Sequence, residues 1–157
     1  MREPEEAVAV EGSGMRALSV GDFMTRELVT IQESDDLALA EQMLRLGQIR
    51  HLPVVRAAKL VGLITSRDLL RSAASRPAKT TLAHEVMTRE PTTARPTTSL
   101  VHAARVMLAS KFGCLPVCEE DGTLVGIITE ADFVRFAADV VQDLDLVAEA
   151  IGSQNRA

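Results

Sequence analysis

Gly62-Leu63-Ile64-Thr65-Ser66-Arg67-Asp68 is echoed by Gly126-Ile127-Ile128-Thr129-Glu130-Ala131-Asp132, a shift of 64. In each stretch a glycine and an apolar pair read as the end of a strand, a threonine opens a helix, and a carboxylate follows three residues on. Working outward, Leu60-Val61-Gly62 meets Leu124-Val125-Gly126 at the same shift. Further upstream the shift is 63: Leu52-Pro53-Val54 meets Leu115-Pro116-Val117, and Met24-Thr25-Arg26-Glu27 recurs as Met87-Thr88-Arg89-Glu90. One residue therefore enters the second copy near Asp121-Gly122. Anchors in one order at one spacing define an internal repeat. Residues 18–74 form one copy and 83–138 the other, joined by the polar stretch 75–82.

Both copies share a local grammar. Leu100, Ala103, Ala104, Met107 and Leu108 follow the i, i+3, i+4, i+7 spacing of an amphipathic helix, with Thr98 or Ser99 as N-cap. The first copy offers Leu37, Ala40, Met43 and Leu44, opened by Ser34 or Asp35 and stopped by Gly47. Two short strands follow, turned at Arg56-Ala57-Ala58 in the first copy and at Asp121-Gly122 in the second. A last helix begins at Thr65 or Thr129. The order is β-α-β-β-α in each copy, an α/β chain of the α+β type. Neither unit is large enough to bury its sheet alone, so the two must pack together. Residues 1–17, rich in Glu with Gly12-Ser13-Gly14, are expected to be disordered. Residues 139–152 read as an additional amphipathic helix, with Val140, Leu144, Val147 and Ile151 on one stripe.

Composition narrows the function. Of 157 residues, 46% are apolar and 25% charged, ordinary for a globular chain. Aromatics are 3%, all Phe, which argues against stacking platforms for single-stranded nucleic acid. A formal net charge of −5 argues against non-specific binding to a phosphate backbone. No apolar run is long enough to span a bilayer, and Met1-Arg2-Glu3-Pro4-Glu5-Glu6 lacks the features of a signal peptide. Cys114 and Cys118 are too few for a disulfide framework, so a cytoplasmic location is expected. They read as small buried hydrophobes, because His51, His84 and His102 supply no second ligand pair for a metal. No motif of a catalytic centre or of a P-loop is present.

The Thr-x-x-Asp ending supports two compatible readings. It is close to a helix capping box. It also resembles half of a nucleotide site: the helix N-terminus offers free N–H groups to a phosphate, and the carboxylate can accept from ribose hydroxyls.

Paired copies with an early Met-Thr, a Leu-Pro-Val strand and a Gly-apolar-apolar-Thr-x-x-Asp ending resemble cystathionine β-synthase (CBS) domains. The resemblance covers residues 18–138 and implies a tandem pair, or Bateman module, packed through its sheets about a pseudo-twofold axis with two clefts. It implies a non-catalytic regulatory module that binds AMP, ADP or ATP and signals occupancy to a partner protein, usually as a homodimer. The alternatives are a module for S-adenosylmethionine, or a dimer scaffold with empty clefts.

The same resemblance places ribose contacts on Asp68 and Asp132 and hydroxyl contacts on Thr65 and Thr129. It sets Leu63, Thr65 and Asp68 against Met87, Thr92, Phe112 and Gly113 of the other copy. It sets Ile127, Thr129 and Asp132 against Met24, Val29, Ile49 and Arg50. Met24, Met87, Val29 and Ile49 read equally as core. Arg67 would flank the first cleft, and Arg50 with His51 the second, opposed by Glu130. Each of these basic residues also reads as surface.

Overall fold

A computed structural model of the chain describes residues 17–154, with side chains through residue 146. The expectation for residues 1–17 lies outside the described residues except for its last position.

The chain opens with helix α1 (Val20–Phe23), strand β1 (Ile31–Gln32) and helix α2 (Leu37–Leu46). A hairpin of β2 (His51–Arg56) and β3 (Lys59–Thr65) leads into α3 (Ser66–Ala73). The second copy repeats this with α4 (Ala83–Val86), β4 (Thr88–Arg89), α5 (Leu100–Ser110), β5 (Cys114–Cys118), β6 (Leu124–Thr129) and α6 (Glu130–Gln154). Helix α2 buries Leu37, Ala40 and Leu44, and its N-cap is Asp36, whose Oδ1 accepts from Leu39 N–H at 2.8 Å. This is one or two residues beyond the caps expected from sequence. Ser99 caps α5 by accepting from His102 N–H.

The hairpins are the centre of the molecule. Leu52 to Val55 and Cys114 to Cys118 are buried without a break, so both faces of each hairpin are covered. Helices of the same copy pack on each hairpin, and each copy builds its own core. The hairpin tips meet as well. Leu124 N–H donates to Ala58 O, Leu60 N–H donates to Gly122 O, and Lys59 pairs with Asp121. The extra residue of the second copy lies here: four residues separate Val55 from its partner Leu60, and five separate Cys118 from Leu124.

The copies exchange their first segments. Helix α1 docks on the second copy, where Val20 and Gly21 donate to Thr98 O and Pro96 O at 2.8 Å. Helix α4 docks on the first, where Ala83 donates to Asp35 O at 2.8 Å. The Met-Thr that follows each helix then joins the other copy's sheet: Thr88 and Arg89 pair with Leu63 and Gly62, and Thr25 pairs with Ile127. Val20 and Met24 complete the core of the second copy, and Ala83 and Met87 that of the first.

Two expectations are corrected. The first strand of the second copy shrinks to a single parallel bridge, Ala94 to Val117. Pro91 and Pro96 bracket it, and proline supplies no N–H for a longer ladder. The stretch 139–152 is no separate helix, since α6 runs unbroken from Glu130 to Gln154. Nothing between Phe136 and Asp143 breaks a helix; Gly152 is the first glycine after Gly126.

Candidate functional site

Each Thr-x-x-Asp motif stands where a strand of the central hairpin hands over to a helix. At the start of α3, Thr65 donates from its backbone N–H (2.8 Å) and hydroxyl (2.6 Å) to Asp68 Oδ2. The reciprocal bond, Asp68 N–H to Thr65 Oγ1, is 3.4 Å. At the start of α6, Thr129 N–H and Oγ1 donate to Asp132 Oδ2 at 2.8 and 2.9 Å. The capping reading of the motif is therefore realised, and it occupies one carboxylate oxygen only. The other oxygen, Oδ1, faces an arginine one helical turn on: Arg71 at 3.8 Å in the first copy and Arg135 at 3.1 Å in the second. The Asp68 side chain is 16% exposed and that of Asp132 8%. Both arginines are outside the set expected from sequence, although Arg71 and Arg135 recur at the repeat's own shift of 64 and stand three residues after each Asp.

A cleft opens at each motif. The first, of about 590 Å³, brings Leu63, Thr65, Arg67 and Asp68 to Thr92, Phe112 and Gly113 of the second copy. The second, of about 520 Å³, brings Ile127, Thr129 and Asp132 to Val29, Ile49 and Arg50 of the first copy. The structure thus joins these residues across the repeat boundary. Two of the expected residues fall elsewhere. Met24 and Met87 are core, each 7% exposed, and neither lines a cleft. The exchanged segments carry them under the other copy's sheet, where Met24 Sδ and Met87 Sδ press on the glycines of the motif. A β-carbon on Gly126 would come 2.5 Å from Met24 Sδ, and one on Gly62 closer still to Met87 Sδ.

Arg50 and His51 are also placed differently. Both line the first cleft as well as the second, and so do Gly113 and Glu130. His51 sits at the divide with Nε2 against Gly113, where a β-carbon would stand 2.8 Å from it. Burial pushes its imidazole below the ordinary 6.5, with Glu130 opposing and Arg50 reinforcing the shift. Burial, helped by Glu130, pushes the Cys114 thiol up to about 12, so it stays protonated and inert. Among the described residues no cluster of His, Cys, Asp and Glu could hold a metal ion, and no helix is long and apolar enough to cross a membrane.

Two copies that exchange their first segments, pack hairpin against hairpin and enclose a cleft on each side define a tandem module with paired sites. The chain belongs to the CBS-domain family, which matches residues 20–75 and 83–139. Its fold is close to that of a Vibrio cholerae protein assigned to acetoin utilization, AcuB (TM-score 0.76, 36% identity, 83% of this chain and 97% of that one). It is similar to CBSX2 in complex with AMP (TM-score 0.70, 33% identity, 78% and 97% covered). It is similar also to the CBS pair of protein MJ0100 in complex with 5′-methylthioadenosine and S-adenosyl-L-methionine (TM-score 0.72, 29% identity, 79% and 98% covered). Among longer relatives, a homoserine O-acetyltransferase of Methanohalobium evestigatum is 35% identical over 117 residues, 74% of this chain. The chain spans about a quarter of the length of that enzyme and of the inosine-5′-monophosphate dehydrogenase of Korarchaeum cryptofilum.

Proposed function

We propose that the chain is a regulatory module that binds adenine nucleotides in its two clefts and passes their occupancy to a partner protein in the cytoplasm. The observation that carries this reading is the divided carboxylate of Asp68 and Asp132. One oxygen is spent on the helix start, and the other, on a carboxylate that lines the cleft, meets only a largely exposed arginine, Arg71 or Arg135. A ribose offers two neighbouring hydroxyls to that oxygen. The first turns of α3 and α6 add free N–H groups and the positive end of a helix dipole for a phosphate. Leu63 and Ile127 give apolar walls for the base. Each cleft draws on both copies, so a ligand that prefers one arrangement of the copies shifts their orientation. CBSX2 with AMP supports the ligand class.

The module carries no catalysis of its own in this reading, and it acts as a homodimer. Leu70 on α3 and Leu108 on α5 are 75% and 79% exposed, with Leu46, Val101 and Val134 beside them in kind on the helical layer. Covering those faces with a second copy is the expected assembly, and light scattering at micromolar concentration tests it, a monomer mass contradicting it.

The capping bonds favour a second reading, a scaffold whose clefts stay empty and whose carboxylates only start helices. Calorimetric titration with AMP, ATP and S-adenosylmethionine separates the two. Saturable heat with AMP or ATP supports the nucleotide module, heat with S-adenosylmethionine alone moves the ligand to that class, and silence from all three leaves the scaffold.

A further inference from the structure

The two clefts are built alike and charged differently. Superposing the copies by their sequence shift pairs Asp68 with Asp132, Arg71 with Arg135 and Glu90 with Glu27, and all six line their respective clefts. These contributions cancel. Arg50, His51, Gly113 and Glu130 border both clefts and cancel too. The difference left over is two positions. Arg67 borders the first cleft, and its counterpart in the second is Ala131. Lys111 borders the first, and its counterpart in the second is Gln48; Lys111 is the left-handed C-cap of α5 (φ 56°), and Gln48 is the left-handed residue just after the Gly47 C-cap of α2 (φ 50°). Neither Arg67 nor Lys111 pairs with a carboxylate among the described residues. The second cleft is thus poorer by two free cations: with the charges of Asp132 and Arg135 offsetting each other, Glu27 and Glu130 stand there against Arg50.

We infer that the clefts are sorted by ligand charge: the Thr65/Asp68 cleft takes an adenine nucleotide through its phosphate, and the Thr129/Asp132 cleft takes an adenine nucleoside whose 5′ substituent is uncharged or cationic. This rests on the adenine-binding reading above and adds which ligand goes where. Both clefts keep the carboxylate for ribose and the helix start, so both recognise the nucleoside. Only the first supplies cations in excess for a dianionic phosphate. In the second, a phosphate would face carboxylates that a hydroxyl, a thioether or a sulfonium does not oppose. One module would then read two different adenine compounds at once.

The test compares AMP with adenosine at one cleft at a time, in low salt so that screening does not hide the difference. Asp132→Asn leaves the first cleft intact, and there AMP should bind about tenfold or more tighter than adenosine. Asp68→Asn leaves the second, and there AMP should bind no tighter than adenosine, with S-adenosylmethionine at least matching both. Raising salt should weaken AMP only in the first case. An equal AMP-to-adenosine ratio in the two variants overturns the sorting while leaving nucleotide binding in place. Wild type that binds neither compound overturns the binding reading and the sorting with it. Should either Asn variant fold poorly, Arg67→Ala with Lys111→Gln gives the first cleft the residues of the second. This variant should lose the AMP preference and keep adenosine, and an AMP preference that survives overturns the proposal.

Discussion

Arg135 Nη1 donates to Asp132 Oδ1 at 3.1 Å, while Oδ2 of the same carboxylate accepts from Thr129. The two oxygens have separate tasks, and a substitution can keep one while removing the charge that serves the other. Asp132→Asn retains an acceptor for the Thr129 N–H, so the helix start survives with a loss below about 1 kcal/mol. Removing the charge should weaken adenosine binding at that cleft by about 1.5–3 kcal/mol, as for a lost charge-assisted hydrogen bond. Melting temperature and calorimetric affinity, read together, check this. A lowered melting temperature with unchanged affinity returns the carboxylate to capping alone.

The exchange of first segments predicts a coupling between glycine and methionine. Gly126→Ala places a β-carbon on Met24, at a cost of about 1–3 kcal/mol for overpacking. In a Met24→Ala background that cost should fall, because Met24 Sδ and Cγ are gone and only Thr25 O, at 3.2 Å, still crowds the new β-carbon. Urea denaturation of the four proteins of this cycle measures it. An equal cost in both backgrounds contradicts the close approach.

His51 predicts a pH dependence of stability. Burial lowers its pKa in the folded chain, so the unfolded chain binds more protons between that lowered value and 6.5. Stability should therefore fall as pH drops through 6.5 and level off below the folded value. The charged groups facing the ring are Arg50, which reinforces the lowering, and Glu130, which opposes it. His51→Gln should flatten the fall between pH 7.5 and 5.5, and identical slopes in urea titrations of the two proteins would place the ring in solvent.

The hairpin at Arg56-Ala57-Ala58-Lys59 carries two alanines at positive φ, 47° and 67°. Side chains with a β-carbon adopt this region at a cost, and asparagine followed by glycine suits such a two-residue turn better. Ala57→Asn with Ala58→Gly should stabilise the chain by about 0.5–1 kcal/mol, measured by thermal unfolding. A destabilised double variant contradicts the turn.

The repeat and its packing were legible because Thr65/Asp68 and Thr129/Asp132 recur with their strands, and a lone β-α-β-β-α unit cannot cover both faces of Leu52 to Val55. The exchange was not legible. Four-residue helices such as Val20–Phe23 carry too little pattern to say which copy they pack on, and Met24 reads as core or cleft wall equally well. Its one signal was glycine: Gly62 and Gly126 in strand interiors mark a close approach, here by the methionines. Arg71 and Arg135 were hidden because a helical ion pair is ordinary on a surface, and only their recurrence singles them out. The unbroken α6 was not legible because 139–152 lies outside the repeat: Phe133 and Phe136 pack on the second copy's core, and Val141, Leu144 and Leu146 further along the same helix are exposed.

In a crystal structure grown with AMP, the nucleotide should occupy the Thr65/Asp68 cleft, with ribose hydroxyls within hydrogen-bond distance of Asp68 Oδ1, the base against Leu63, and the phosphate toward Arg67 and Lys111. Both clefts empty at millimolar AMP, or AMP bound away from Asp68 and Asp132, would contradict it.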